Sequence, residues 1–283
     1  ITHAIQDANV DLALFFEQEK RLDFQKAKQC LIEGDATVTM MEWMQQNLSI
    51  GSLLDLPAAF DQQIEDLQEA PQVVVQDLLF SYLGGAKFCQ YVKARHPRNW
   101  REVAYETPPV STEQILHPHK YQKDMPVAVS LGKPAPDSEY EKVYRYTFGE
   151  WSTRLFLTPP AAFPKIELLS FDPLVNEPVA TEAAAGWGGD QMALYEKENG
   201  RRFLSWRTVW DTEKDAKEFE DALLRRVSLM PSFAGAPWEN GMARGDGKVA
   251  IYRRMNNRVE FVLATDEEAM FDGAILFDEG AAQ

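Results

Sequence analysis

Residues 27–37 read Ala27-Lys28-Gln29-Cys30-Leu31-Ile32-Glu33-Gly34-Asp35-Ala36-Thr37. Around this stretch small and apolar residues recur at spacings of three and four, which predicts a helix with one buried face: Ala27, Leu31, Gly34, Val38 and Met41. Glu33 lies close to that face, and a carboxylate near a packed face needs a partner, for which a metal ion is one candidate. Gly34 costs a mid-helix position about 1 kcal/mol relative to Ala. It therefore predicts the close approach of a neighbouring element, which we expect to be the helix that carries His3.

The chain opens with Ile1-Thr2-His3-Ala4-Ile5-Gln6-Asp7. In an H-E-x-x-H helix two histidines one turn apart bind zinc, and the Glu beside the first histidine is the general base. Ile1-Thr2-His3 matches the x-x-H end of this motif, so we expect the first His and the base Glu to lie upstream of Ile1 or to be absent. Spacing alone leaves open that His3 is an ordinary histidine near a terminus and that Glu33 is an ordinary helix residue.

A second polar block extends from Thr107 to Tyr121 and reads TPPVSTEQILHPHKY. It offers a helix cap at Ser111 or Thr112, and it sets His117 and Tyr121 four residues apart. In zinc peptidases a His or Tyr donor stabilises the oxyanion that forms opposite the metal, so these two residues are our candidates for that role. The alternative is a hydrogen-bonded structural loop that does no chemistry.

Together the H-A-I-Q-D run, the E-G-D-A-T helix, the F-S-Y-L-G-G-A-K-F helix at Phe80–Phe88 and the block at 107–121 resemble an uncharacterised bacterial family of zincin-type, gluzincin-like metallopeptidases. The likeness continues at Gly149-Glu150, at the G-W-G-G-D run ending at Asp190 and at the W-D-T run starting at Trp210, so it covers nearly the whole chain.

The resemblance implies a zinc site with His3 and Glu33 as metal ligands, and hydrolysis of a peptide or protein substrate by metal-activated water. It also implies that His117 and Tyr121 are catalytic candidates. Without the upstream His and Glu, we expect the chain as given to be inactive. The alternative function is a non-catalytic zincin scaffold that serves as a binding or assembly subunit of a larger complex.

The composition excludes two classes of partner. With 29 basic against 44 acidic residues the net charge is -15, which repels nucleic acid phosphates and anionic lipid surfaces. No membrane-spanning segment is expected, because the most apolar stretch, Val73 to Leu83, is interrupted by polar residues. Cys30 and Cys89 lie in helical patterns and are expected to be free buried thiols.

The predicted fold class is α+β, with a helical zincin-like region at 1–130 and an α+β region with β-hairpins at 139–283. In the first region we expect an amphipathic segment from Leu53 to Glu69 and a helix from Asp77 to Ala94.

In the second region we expect one helix from Glu141 to Leu157 with an aromatic core face. Hairpins are predicted at Asn199-Gly200 and at Asn256-Asn257, with a helix between them that is capped by Asp211 or Thr212.

Overall fold

The structure is a computed structural model that describes residues 1–17, 22–49, 67–132, 134, 138–164 and 174–277. The chain divides into two compact units, of which the first comprises Ile1–Asp124 with Pro160–Glu177 and the second Met125–Pro159 with Pro178–Gln283. The predicted α+β class is confirmed, because the N-terminal half is helical and the C-terminal half contains an antiparallel sheet. Most of the amphipathic segment predicted for Leu53–Glu69 lies outside the described residues.

The first unit is built from helices. Within the described residues they are α1 (Thr2–Val10), α2 (Leu12–Glu17), α3 (Leu22–Asn47), α4 (Gln72–Arg95), α5 (Trp100–Glu106) and α6 (Thr112–Leu116). The helix predicted for Asp77–Ala94 is confirmed as α4, which begins five residues earlier because Pro71 precedes its first turn.

The two long helices α3 and α4 cross at a pair of glycines. A Cβ atom placed on Gly34 would lie 2.2 Å from the carbonyl carbon of Gly85, and one placed on Gly85 would lie 2.0 Å from the carbonyl oxygen of Cys30. The close approach predicted at Gly34 is therefore present, but the neighbouring element is α4 and not the helix of His3. Glycine is required at both positions because a side chain would hold the two backbones apart.

The polar block that ends at Tyr121 is anchored to the start of α3. The buried carboxylate of Asp23 accepts hydrogen bonds from the backbone N and the Oγ1 of Thr112, the latter at 2.6 Å. Asp23 lies inside the first turn of α3 and binds α6 from there. Ser111 is the N-cap of α6 and accepts from the N of Gln114, as the sequence predicted.

The second unit contains a seven-stranded antiparallel sheet within the described residues, in the order β1-β2-β3-β7-β6-β5-β4. Its strands are β1 (Glu141–Tyr146), β2 (Trp187–Glu196), β3 (Arg202–Trp210), β4 (Trp238–Glu239), β5 (Met242–Gly245), β6 (Lys248–Met255) and β7 (Arg258–Ala264). The accompanying helices are α7 (Gly149–Leu157), α8 (Pro178–Ala184), α9 (Glu213–Ser228) and α10 (Glu267–Ala274).

The two faces of β3 contribute to different apolar clusters, because successive side chains of a strand point to opposite faces of the sheet. On β3, Trp206 and Trp210 pack against Phe219 of α9, whereas Phe203 belongs to a second apolar cluster with Met270 of α10. The predicted hairpins at residues 199–200 and 256–257 are confirmed as β2–β3 and β6–β7. The cap is Thr212, which forms a capping box with Asp215.

The single helix predicted for Glu141–Leu157 is wrong over its first part, where the chain forms the edge strand β1. Gly149 has a φ of 79°, which a continuous α-helix cannot accommodate. The buried carboxylate of Asp190 accepts from the backbone N–H groups of Phe148 and Gly149, which places the start of α7 there. Trp151 and Leu155 of α7 are buried, as the aromatic pattern predicted.

Asp190 also accepts from the indole Nε1 atoms of Trp187 and Trp206, each at 3.0 Å. Burial raises the pKa of Asp190, while the four N–H donors act to lower it. One carboxylate thus joins α7, β2 and β3 at the centre of the second unit. The run from Gly186 to Asp190 has a structural role in this arrangement.

Cys30 and Cys89 are both buried and free, as predicted. Burial raises the pKa of both thiols well above the usual range, which keeps them protonated. In the part of the chain that the structure describes, no helix is long and apolar enough to cross a membrane.

The close crossing of α3 and α4 can be tested by its effect on stability. Gly34→Ala raises helix propensity but inserts a methyl group into the backbone of α4, so we expect the free energy of unfolding to fall by about 1–3 kcal/mol. Urea denaturation followed by far-UV circular dichroism measures the change. Gln45→Ala, at an exposed position of the same helix, is the control and should be neutral within about 0.5 kcal/mol. An unchanged or raised stability of Gly34→Ala would contradict the close crossing.

Asp190→Asn tests the centre of the second unit. The side-chain amide of Asn would direct its own N–H groups at two of the four donors, so we expect a loss of about 2–4 kcal/mol in the free energy of unfolding. Asp246→Asn, in an exposed turn of the same unit, is the matched control. Equal stabilities of the two variants in urea would show that Asp190 does not hold the unit together.

Candidate metal centre

The structure brings His3 and Glu33 together. His3 lies in the first turn of α1, Glu33 lies at the middle of α3, and these two helices contact one another. The Nε2 of His3 is 3.4 Å from the Oε2 of Glu33, with the His3 side chain 52% exposed and that of Glu33 18% exposed. The Oε2 atom itself is buried and accepts no hydrogen bond from the described residues. The sequence pattern predicted this pair.

The other ring nitrogen of His3 is held by Gln6, which follows one turn later on α1. The Nδ1 of His3 lies 2.8 Å from the Oε1 of Gln6. The Gln6 side chain is buried, and its Nε2 donates to three acceptors at 3.0 Å, which are the backbone O of Ile32, Oδ2 of Asp35 and the hydroxyl of Tyr105. Both ends of the Gln6 amide are therefore engaged.

Asp35 is the centre of this polar cluster and is only 2% exposed. Its Oδ2 accepts from the Tyr105 hydroxyl at 3.0 Å, and its Oδ1 accepts from the Nε of Arg101 at 2.8 Å. Arg101 also donates to the Oγ1 of Thr39. Burial raises the pKa of Tyr105, and the charge of Asp35 raises it further, so the phenol stays protonated and remains a donor. The guanidinium compensates the buried charge of Asp35.

A cavity of about 770 Å³ adjoins this cluster. It lies between α1, α3 and α5, and its lining includes Ile5, Gln6, Asp35, Arg101 and Tyr105. A concave site with a few convergent polar groups is the usual form of a ligand pocket. Gln6 belongs to the lining of this cavity and also contacts His3, so it links the cavity to the candidate metal ligands, which do not line the cavity themselves.

Tyr82 of α4 lies near Glu33. Burial raises the pKa of Tyr82, and the carboxylate of Glu33 raises it further. The residue is 38% exposed, so its phenol reaches solvent. The glycine crossing accounts for this proximity, since it brings α4 against α3 one residue from Glu33. Tyr82 therefore stays protonated within the electrostatic influence of the candidate ligand.

His117 and Tyr121 lie in the block that is anchored at Asp23. Ten residues of helix, about 15 Å, separate Asp23 from Glu33 along α3. The Tyr121 hydroxyl donates to the backbone O of Thr107 at 2.5 Å, and its ring packs edge-on against Phe88. Burial raises the pKa of Tyr121. These contacts are those of a structural tyrosine, and the catalytic roles of His117 and Tyr121 stay predictions.

Sequence reasoning missed Gln6, Asp35, Arg101 and Tyr105 as members of the site. A signal for the first two was available, because both are polar residues placed on the buried side of predicted helices next to a candidate ligand. Gln6 follows His3 by three residues and Asp35 follows Glu33 by two. Arg101 and Tyr105 come from α5, and their part in the cluster depends on where that helix packs.

Residues 139–273 match a family model described as a domain of unknown function (DUF8575). This match covers just under half of the chain and spans the sheet of the second unit, without reaching His3 or Glu33. No curated protein and no solved structure matches the chain.

Tyr121→Phe tests whether this residue is structural. The variant leaves the Thr107 carbonyl without its donor, so we expect the free energy of unfolding to fall by about 1 kcal/mol. Metal affinity should be unchanged, measured by calorimetric zinc titration of the same samples. Reduced metal affinity at unchanged stability would instead place Tyr121 at the site.

Proposed function

We propose that this protein is a zinc-metallopeptidase-like protein in which His3 and Glu33 are two of the protein ligands of a zinc ion. The observation that carries the proposal is the separation of 3.4 Å between His3 Nε2 and Glu33 Oε2. Zinc binds nitrogen and oxygen at about 2.0–2.2 Å, and tetrahedral geometry then sets two such ligand atoms roughly 3.4 Å apart. The spacing of the pair therefore fits a shared zinc ion.

The state of Glu33 gives further support. A carboxylate oxygen that is removed from water is costly unless it is hydrogen-bonded, paired or bound to a metal. The Oε2 of Glu33 accepts no hydrogen bond from the described residues, whereas the neighbouring Asp35 is bonded through both of its oxygens. A cation between Glu33 and His3 would satisfy both the buried Oε2 of Glu33 and the Nε2 of His3.

The pair needs more ligands than the described residues supply. Within them, no third His, Cys, Asp or Glu joins His3 and Glu33 at metal-binding distance. A catalytic zinc site has three protein ligands and one open position. In an H-E-x-x-H helix the third ligand would stand one helical turn before His3, with the general base beside it. The chain as given is accordingly expected to bind zinc weakly and to cleave no peptide.

A bound zinc ion would lower the pKa of a water molecule and polarise the carbonyl of a peptide substrate. The residues of the chain itself have separate tasks. His3 and Glu33 would hold the metal, and Tyr82 of α4, whose pKa the charge of Glu33 raises, is a candidate donor for a bound substrate. The cavity between α1, α3 and α5 offers space for a side chain of a bound peptide.

The decisive experiment extends the chain by two residues. Adding His-Glu before Ile1 creates a complete H-E-x-x-H helix, and adding Ala-Ala is the matched control. We expect the His-Glu chain to bind one zinc ion. Changes outside the ligand shell alter metal affinity by roughly 10–100-fold, and the gain over the Ala-Ala control should exceed that range. Titration calorimetry with zinc measures the affinity. Glu33→Gln in the His-Glu chain should abolish the gain.

Peptide cleavage is the second readout. The His-Glu chain should cleave casein or a mixed peptide library, and a chelator should stop the cleavage. Zinc binding without cleavage would favour the non-catalytic scaffold over the peptidase. Equal zinc affinities of the His-Glu and Ala-Ala chains would reject the metal site altogether.

A further inference from the structure

We infer that Gln6 is a positioning residue that holds His3 in the tautomer with hydrogen on Nδ1 and directs the bare Nε2 lone pair at Glu33. This inference deepens the proposed function and rests on it only for the consequence for metal affinity. The tautomer itself is a property of the chain without metal.

The first step is the orientation of the Gln6 amide. Its Nε2 lies 3.0 Å from the backbone O of Ile32 and 3.0 Å from the Oδ2 of Asp35. A carbonyl and an ionised carboxylate are both acceptors only, so the group that faces them must be the NH2. A flipped amide would set its oxygen against these two oxygens in a buried place, which is costly. The Oε1 of Gln6 therefore faces His3.

The second step is the proton on the His3 ring. The Oε1 of an amide can only accept, so the Nδ1 of His3, at 2.8 Å, must be the donor. In a neutral imidazole one nitrogen carries the hydrogen and the other is an acceptor, and the partner of the first decides which is which. The Nε2 of neutral His3 is thus bare, and its lone pair is free to bind a metal.

The third step is what the bare Nε2 meets. At 3.4 Å it faces the Oε2 of Glu33, so two acceptor atoms lie opposite one another without a hydrogen between them. Such an arrangement is satisfied by a cation or by a second proton on the ring. Metal-binding histidines generally donate their other N–H to an oxygen, which fixes the ring and makes it a better ligand. Gln6 provides that oxygen here.

Asp35 keeps Gln6 in place. Its carboxylate is held by Arg101 and Tyr105, so the acceptor that orients the Gln6 amide is itself fixed and charged. The chain of bonds runs from Arg101 through Asp35 and Gln6 to His3. Gln6 acts through His3 and need not touch a substrate or a metal.

The test is a measurement of the His3 tautomer by nitrogen NMR of the 15N-labelled chain at about pH 8, above the usual histidine pKa of about 6.5. We expect His3 to show hydrogen on Nδ1 and a bare Nε2. The exposed His96 of the same chain serves as an internal reference for an unconstrained ring. Hydrogen on Nε2, or a doubly protonated ring at this pH, would overturn the inference whether or not Gln6 variants fold.

Two substitutions on α1 test whether the amide of Gln6 sets the tautomer of His3. Gln6→Met keeps the length of the side chain but cannot form the hydrogen bonds of an amide. The nitrogen chemical shifts of His3 should therefore move to values like those of His96. Asn9→Met is the matched control, because the exposed Asn9 side chain donates to the backbone O of Ile5 and contacts neither His3 nor Glu33 by a hydrogen bond among the described residues. An unchanged His3 tautomer in folded Gln6→Met would also overturn the inference.

Zinc affinity then distinguishes the positioning role of Gln6 from the proposed metal site. In the chain extended by His-Glu, Gln6→Met should weaken zinc binding by about 10–100-fold, and Asn9→Met should not. If the unsubstituted chain shows the Nδ1–H tautomer but the extended chain binds no zinc, the proposed function fails and the positioning role of Gln6 stands. If zinc binds and Gln6→Met has no effect on affinity, the positioning role fails and the metal site stands.

Discussion

The first unit depends on the crossing of α3 and α4 at Gly34 and Gly85, where the two backbones touch without side chains between them. This crossing is a steric constraint, since a single methyl group at either position would overlap backbone atoms that cannot move aside. The crossing fixes the rotation of α3 about its own axis. It therefore also fixes the directions of the Glu33 and Asp35 side chains. Asp35 then faces α1 and α5, where Gln6, Tyr105 and Arg101 surround it, while Glu33 faces His3 and Tyr82. The candidate metal centre is therefore a consequence of how closely the two long helices approach.

The second unit depends on a different kind of contact, in which one buried carboxylate satisfies four N–H donors. Asp190 binds the start of α7 and two indole rings of the sheet, so that it ties a helix, β2 and β3 to one point. The glycine-rich run from Gly186 to Asp190 resembles a ligand-binding turn in sequence. Its hydrogen bonds are used within the fold, and the match of residues 139–273 to a domain family spans this region.

The two carboxylates of the E-G-D run illustrate how the environment sets a role. Asp35 is fully engaged, with a guanidinium to compensate its charge and a phenol and an amide as further donors. Glu33, two residues earlier on the same helix, has a buried oxygen that no described residue bonds and an imidazole nitrogen 3.4 Å away. A satisfied carboxylate stabilises and positions its neighbours, whereas an unsatisfied one is available to bind a cation. This difference is the reason that we propose Glu33, and not Asp35, as the metal ligand.

The sequence alone determined the fold class, the long helices, both hairpins and the presence of a cap at Asp211 or Thr212, because these follow from short-range periodicity and turn chemistry. The pairing of His3 with Glu33 was an expectation from the family resemblance of their motifs, because spacing alone left the roles of both residues open. The sequence did not determine that Gly34 meets Gly85, that residues 141–146 form a strand, or that Gln6 and Asp35 connect α5 to the site. Those features arise from contacts between residues 26 to 99 positions apart, such as Gln6 with Ile32 and with Tyr105. Only the tertiary structure decides them, because a buried polar group takes whichever partner the packing of other helices brings within hydrogen-bonding distance.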